Sequence, residues 1–402
     1  MKPRRLFLLL LIMSSTTIAA FSQWTIQNAL PEGKFLYTMT FTDVNTGYGV
    51  SDSGIIIKTT NGGLTWSKLA RSTYFNLYGV CFTNDSTGYA VGGDYGSGIL
   101  LKTVDGGANW FTRVQGTNAK GLQDVFFSDA STGFAVSVNS AMLKTTDGGN
   151  TWTPNGLGWL SSVFFTDNNT GYGTRDAGRL YKTTDGGATW STLASGTTQD
   201  LNAAFFTDPA TGYVVGASGT IIKTTDGGST WTPLQSGTAA TLIACKFTSP
   251  STGYITGTLG TILKTTNSGA SWITLPSGTN AVLSSISFPG GSTGYVSGAG
   301  GIILKTTNGG TFVTVHGPAN ASFSIFPDPA SDHVTIVAGR NLAGETVIDI
   351  LSAGGDPVLG PVVMNGNRMD LDVSLLKSGL YFTRIRDANG IEIKKLVIHT
   401  MP

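Results

Sequence analysis

The chain has 402 residues, of which 55 are glycine, roughly twice ordinary usage, and only 12% are charged. The glycines follow no three-residue period, which excludes collagen, and an aromatic share of 10% supplies a core that a disordered chain lacks. A net charge of +1 offers no basis for binding nucleic acid or a membrane surface.

The chain opens with Lys2, Arg4 and Arg5, then the apolar run Leu6–Met13, then small residues to Ala20 and Ser22. That order is a secretory signal peptide over residues 1–22, too short to span a bilayer. Cleavage after Ser22 removes three positive charges and takes the formal charge from +1 to −2. The mature chain is then expected outside the cytoplasm with no transmembrane segment. Cys81 and Cys245 sit at adjacent columns of different repeats, so they are read as two small buried hydrophobes and not as a disulfide.

From Trp24 the sequence repeats itself. Thr-Gly-Tyr/Phe recurs with its glycine at 47, 88, 133, 171, 212, 253 and 294. A second motif follows each copy, fullest as Lys182-Thr-Thr-Asp-Gly-Gly-Ala-Thr-Trp190. Within one unit Leu201–Phe206, Gly212–Val215, Thr220–Thr224 and Trp231–Leu234 read as four strands, with Asp226-Gly227-Gly228 as a tight hairpin. About 41 residues for four strands is one propeller blade, and seven units predict a closed seven-bladed β-propeller over residues 23–317. Trp24-Thr25 looks like a fourth strand without its first three, so it is expected to pair onto the last blade and remove the exposed edge. Phe312–Val315 competes for the same place, and the sequence leaves that choice open.

Thr183-x-Asp185-x-Gly187-x-Thr189-Trp190 resembles the Asp-box of sialidases, some glucan hydrolases and photosystem II assembly-factor propellers, the last most closely. The resemblance implies a structural role for Asp105, Asp147, Asp185 and Asp226, whose carboxylates tie the turn. It implies the same for Trp66, Trp110, Trp152, Trp190, Trp231 and Trp272, packed between blades. Asparagine stands for the acid at 61, 267 and 308.

After a linker at 318–321 the pattern changes. Val334–Val337, Thr346–Ile350, Met369–Val373, Leu380–Arg384 and Lys394–Ile398 read as strands of a small Ig-like antiparallel β-sandwich over residues 322–402. The fold class is thus all-β throughout. The opening Pro327-Asp328-Pro329-Ala330, then Val347–Gly354, Leu376, Gly379, Tyr381 and Ile385, and the closing Lys394-Lys395-Leu396-Val397 resemble the C-terminal sorting domain of the type IX secretion system. That resemblance implies the type IX machinery as a partner, with a secreted or outer-membrane cell-surface location.

Catalytic groups are sparse. The chain's glutamates are Glu32, Glu345 and Glu392, none within residues 33–320 where the blades lie, and His316 lies at the propeller's exit. A Tyr/Glu pair or a Ser-His-Asp triad therefore cannot be assembled in the ring, and no cluster has zinc spacing. No cofactor or metal is implied. Paired carboxylates leave one hydrolytic route, for which Asp52, Asp94, Asp124, Asp176 and Asp200 are the non-repeating candidates.

A residue present in every unit serves the scaffold, whereas one present once is free for something else. By that test the lysines at 58, 102, 144, 182, 223, 264 and 305 are scaffold or solvated rim. The unique residues fall in two loop types: Arg71, Tyr74, Phe75, Lys120 and Trp159 between blades, and Asp94, Tyr95, Arg175, Asp176 and Arg179 between second and third strands. Strand alternation puts both loop types on one face, over blades one to four. Such residues suit a glycan or protein ligand. The reading is a monomeric, secreted binding or display protein and not an enzyme. A glycoside hydrolase and an envelope assembly factor are the alternatives.

Overall fold

The computed structural model describes residues 24–28, 33–94, 96–116, 120–137, 141–310, 323–339, 342, 345–352, 357–387 and 390–399. The predicted leader, the linker and Phe312–Val315 lie outside these residues, as does Tyr95. The chain divides into two compact units, one within Ser22–Thr311 and one reaching to the C-terminus.

The first unit is seven four-stranded antiparallel sheets. In the fifth, Leu201–Phe206, Gly212–Gly216, Ile221–Thr224 and Thr232–Leu234 lie side by side in chain order. Sheets two to seven follow one another through first-strand contacts, and Leu36–Phe41 of blade one also packs on Leu283–Gly290 of blade seven. The sheets therefore form a closed ring with first strands innermost. Second strands such as Gly47–Ser51 are buried at every residue, as a strand packed on both faces must be.

Blade seven is completed from the other end of the unit. Thr25–Asn28 pairs antiparallel with Ile302–Thr306, Thr25 opposite Lys305 and Asn28 opposite Ile302. The Trp24 ring meets Phe288 edge-on at 6.3 Å. Phe82 meets Trp110, and Phe247 meets Trp272, at 6.0 and 6.1 Å in the same geometry. Trp24 thus fills the box-aromatic place of the last blade.

Each interface between blades uses one set of parts. The phenylalanine ending a first strand stacks on the Thr-Gly-Tyr/Phe ring of the preceding blade, as Phe82 does on Tyr48 at 4.0 Å and Phe41 on Tyr295 at 4.1 Å. The same phenylalanine lies on the glycine of its own blade. A Cβ at Gly253 would sit 2.5 Å from the Phe247 ring, so no other residue fits there. The Thr-Gly-Tyr hydroxyl and the third-strand lysine then reach the next blade together. Tyr172 Oη and Lys182 Nζ both donate to the Gly227 carbonyl, at 2.8 and 2.7 Å. Tyr213 and Lys223 do the same to Ser268, and Tyr254 and Lys264 to Gly309. Tyr295 and Lys305 reach Gly62 at 2.7 and 2.9 Å, which ties blade seven to blade one. Burial pushes Tyr172, Tyr213, Tyr254 and Tyr295 up to about 12, so each hydroxyl stays a donor at any physiological pH. The repeated lysines are therefore scaffold that clamps adjacent blades and not solvated rim.

The boxes behave as the resemblance implies. Asp185 accepts from the Thr183 hydroxyl at 2.8 Å and from Thr189 N–H at 2.9 Å and O–H at 2.6 Å. Those donors hold Asp105, Asp185 and Asp226 down to about 2. Asn61 reproduces the pattern, with its amide donating to Thr65 Oγ1 at 2.8 Å. Cys81 and Cys245 are free thiols, as expected.

In the second unit Phe323–Phe326, His333–Ala338 and Arg368–Asp372 form one sheet. Pro357–Met364, Thr346–Ser352, Gly379–Asp387 and Gly390–Ile398 form the other in that order. One core, including Phe323, Ile336, Ile348 and Leu396, is shared between them. Two strands were not expected from sequence. Pro357–Met364 contains two prolines and a glycine, which read as a break, and is tolerated because it is an edge strand. Among the described residues no helix is long and apolar enough to cross a membrane.

Candidate functional site

Hydrogen bonds fix which loops share a face. Ser195, between blades four and five, donates its hydroxyl to the Gly178 carbonyl in the second-to-third-strand loop, at 2.6 Å. Gly219 N donates to Ala240 O at 2.8 Å in the next blade. On the other side, box amides bond to the first turn of their own blade, as Gly106 N does to Ser86 O at 2.9 Å. The two variable loop types therefore occupy one face and the boxes the opposite one.

The variable face carries two arginine–aromatic pairs. In the first, the Arg71 guanidinium lies 4.9 Å from the centroid of the Tyr74 ring, which is 81% exposed. Tyr74 borders a cleft of about 500 Å³ with Phe75, Asp94, Thr112 and Gln115. Asp94 is spent in part on its own turn, accepting from Gly96 N and Ser97 N at 2.8 and 2.7 Å. One carboxylate oxygen remains for a ligand.

In the second, Arg175 lies 5.1 Å from the centroid of the Trp159 ring. Trp159 is 54% exposed and its backbone is held at φ 69°. That left-handed conformation is strained for a bulky residue and is kept only where its surroundings impose it. Asp176 Oδ1 accepts from Arg175 Nε and Arg179 Nη2, both at 3.0 Å, which leaves the trio with one net positive charge. Four residues found by the repeat test are thus brought together. Lys120 is not among them; its carbonyl accepts the Ser137 hydroxyl under the third blade.

A third group was not named from sequence. Phe35 stacks on Tyr37 at 4.5 Å, and Tyr37 meets Tyr78 edge-on at 4.8 Å. Asp52 accepts from Phe35 N and Tyr37 Oη, both at 2.9 Å. Burial and that carboxylate push the Tyr37 hydroxyl well above its ordinary range. Tyr37 and Tyr78 share a first-strand column with Gln123, Asn202 and Ser284, so the same test extended to strands would have found them. The other candidate carboxylates are also engaged. Asp200 accepts from Ala177 N at 2.8 Å, and Asp124 from the Ser162 hydroxyl at 2.9 Å.

Comparison with known proteins agrees with this architecture. Residues 324–399 match the secretion system C-terminal sorting domain. The chain is thus exported through the type IX route, to the medium or the cell surface. Residues 16–119 and 231–315 match the photosynthesis system II assembly factor YCF48. A curated relative, the chloroplastic photosystem II stability/assembly factor HCF136 of Oryza sativa subsp. japonica, is 45% identical over 49 residues, 12% of either chain. Among solved structures, YCF48 bound to D1 peptide has a TM-score of 0.61 at 18% identity, over 71% of this chain and 97% of that one. YCF48 from Cyanidioschyzon merolae gives 0.60 at 20%, over 70% and 98%. The Niastella koreensis GH74 enzyme gives 0.60 at 17%, over 92% and 74%. These likenesses establish the propeller fold.

Proposed function

We propose that this exported propeller is a binding protein whose ligand docks on the variable-loop face, and that it does not catalyse a reaction. The observation that carries the reading is Trp159. It is a large apolar ring left half in solvent, on strained backbone, with the Arg175 guanidinium against it. Unexplained exposure of this kind marks recognition surfaces, and arginine beside an aromatic ring binds carboxylates and planar groups by directed hydrogen bonds and stacking. The engaged state of each candidate carboxylate argues against a paired-acid hydrolase.

The ligand is a glycan or a protein segment. The match to an assembly-factor family, one of whose solved members holds a D1 peptide, favours the protein segment and with it a role in assembling an envelope complex. The test is a glycan array and a panel of acidic peptides, probed with the whole protein. Trp159→Ala and Arg175→Ala are each expected to weaken the selected interaction at least tenfold. Undiminished binding in both variants sinks the site, and release of reducing sugar from a polysaccharide sinks the non-catalytic reading.

A further inference from the structure

The innermost strands carry a second set of non-repeating residues, on the opposite side of the ring from the proposed loop site. The column just before the stacking phenylalanine is Thr40, Cys81 and Ser287 in three blades. In the other four it is Phe126, Phe164, Phe205 and Lys246. All four are only half-buried; Phe126, Phe164 and Phe205 face the following blade, and Lys246 reaches back to Phe205 of the preceding one. Their contacts run continuously from blade three to blade six. Phe126 lies 5.4 Å from Phe164, Phe164 lies 5.3 Å from Phe205, and Lys246 Nζ lies 5.1 Å from the centre of the Phe205 ring. The column sits one residue before the last residue of the first strand, so this arc lies at the box-face end of the innermost strands.

Lys246 is unlike the clamp lysines. Each of those donates to a carbonyl, at 2.6–2.9 Å. Lys246 has no hydrogen-bond acceptor or carboxylate partner among the described residues, only the face of Phe205. Burial favours the neutral amine there and lowers its proton affinity. A half-buried ammonium without an acceptor is costly unless a ligand or ordered solvent completes it.

We infer that this arc, at the box-face end of the innermost strands, is a binding site for a small monocarboxylate with an aromatic or apolar body. The carboxylate would pair with Lys246 and the body would lie on Phe164 and Phe205. A single cation matches a single negative charge, whereas a dianion would bring an uncompensated charge into the same half-buried place. The apolar arc gives nothing to an ion that lacks a body.

The experiment titrates the full chain with phenylacetate, phenylacetamide and inorganic phosphate, followed by calorimetry and by ligand-observed NMR. Saturable phenylacetate binding is expected, at least tenfold weaker for phenylacetamide and for phosphate. Lys246→Met is expected to weaken phenylacetate at least tenfold and Phe205→Ala to weaken it severalfold, with Trp159→Ala without effect. Lys246→Met should also raise the thermal midpoint, since it removes an unpaired charge, and this reports on the fold independently. The inference is overturned if phenylacetate does not bind saturably, if Lys246→Met binds it equally well, or if phosphate competes at equal strength. Because Trp159→Ala is silent here, failure at this site is separable from failure of the loop-face reading.

Discussion

The bond between blade seven and blade one offers a quantitative test of how the ring is held. Tyr295 and Lys305 donate to one buried acceptor, the Gly62 carbonyl, at 2.7 and 2.9 Å. In Tyr295→Phe the carbonyl keeps Lys305, so only one net hydrogen bond is lost, about 1 kcal/mol. In Lys305→Met it keeps Tyr295, and the loss of a charge-assisted bond costs about 1.5 kcal/mol. The double variant orphans the carbonyl, which adds its desolvation penalty of about 1–3 kcal/mol. The double should therefore exceed the sum of the singles by about 1–3 kcal/mol and lower the midpoint by roughly 7–11 °C at ~2 °C per kcal/mol for a unit of this size. The assay is denaturant unfolding followed by tryptophan fluorescence. All 8 tryptophans lie at or before Trp272, so the signal reports the propeller and not the second unit. Midpoints should move with m unchanged. Additivity within about 0.5 kcal/mol would refute the shared-acceptor account. One blade already carries the single change: Phe134 stands where others have tyrosine, and Lys144 alone holds the Gly186 carbonyl at 2.7 Å.

Acid should weaken the propeller in a defined window. The depressed values of Asp105, Asp185 and Asp226 mean that their contribution is complete above the ordinary carboxylate value of 3.8 and is lost as pH falls through about 2. The triple variant Asp105→Asn, Asp185→Asn, Asp226→Asn should flatten stability between about pH 4 and pH 2, and an unchanged slope would contradict this. It should fold at neutral pH, because Asn61 and Asn267 already make the same bonds. In the sorting domain, Asp349 is 2% exposed and bonds Arg384 at 2.7 Å and Arg386 at 2.8 Å. Asp349→Ala should destabilise that unit by about 3 kcal/mol, the low end for a broken buried pair because both arginines reach solvent. Hydrogen exchange over residues 357–387 should rise while tryptophan fluorescence stays unchanged. Protection at the wild-type level would show the pair to be dispensable.

The features legible in the sequence are those that recur. Seven copies of Thr-Gly-Tyr/Phe and of the box give the blades because the physical demand recurs: a glycine under a phenylalanine, a carboxylate tying a turn, an aromatic ring against the next blade. The clamp was hidden in plain repetition. A lysine in every blade announces a scaffold role, yet its acceptor lies 42 to 48 residues on in the first six blades and 243 residues back in the seventh, and only the closed ring brings the two together. Closure itself was half legible. Trp24-Thr25 repeats the start of a fourth strand, but so does the segment at Phe312, and local chemistry cannot rank two strands that would satisfy the same edge. The pairing of Thr25 with Lys305 and the edge-on contact of Trp24 with Phe288 place the N-terminal strand there.

The candidate sites follow the inverse rule, and that rule explains both what was found and what was overlooked. Where every blade imposes one residue, a departure needs its own cause, so Trp159, Arg175 and Arg179 stood out in loops where any residue is tolerated and the signal is weakest. The stronger departures are in the first strands. There the column before the stacking phenylalanine is small or polar in three blades and becomes three phenylalanines and a lysine in the rest. As a flat sequence that column looks like core, because alternation says only that it lies opposite the stacking ring. Its neighbours are decided by ring closure, which sets each first strand beside those of the adjoining blades, and there Lys246 meets the face of Phe205 in the preceding blade and, among the described residues, no acceptor. A lysine in a strand core is an anomaly that sequence can register, but its meaning depends on the seven-fold geometry that places it at the end of a phenylalanine arc.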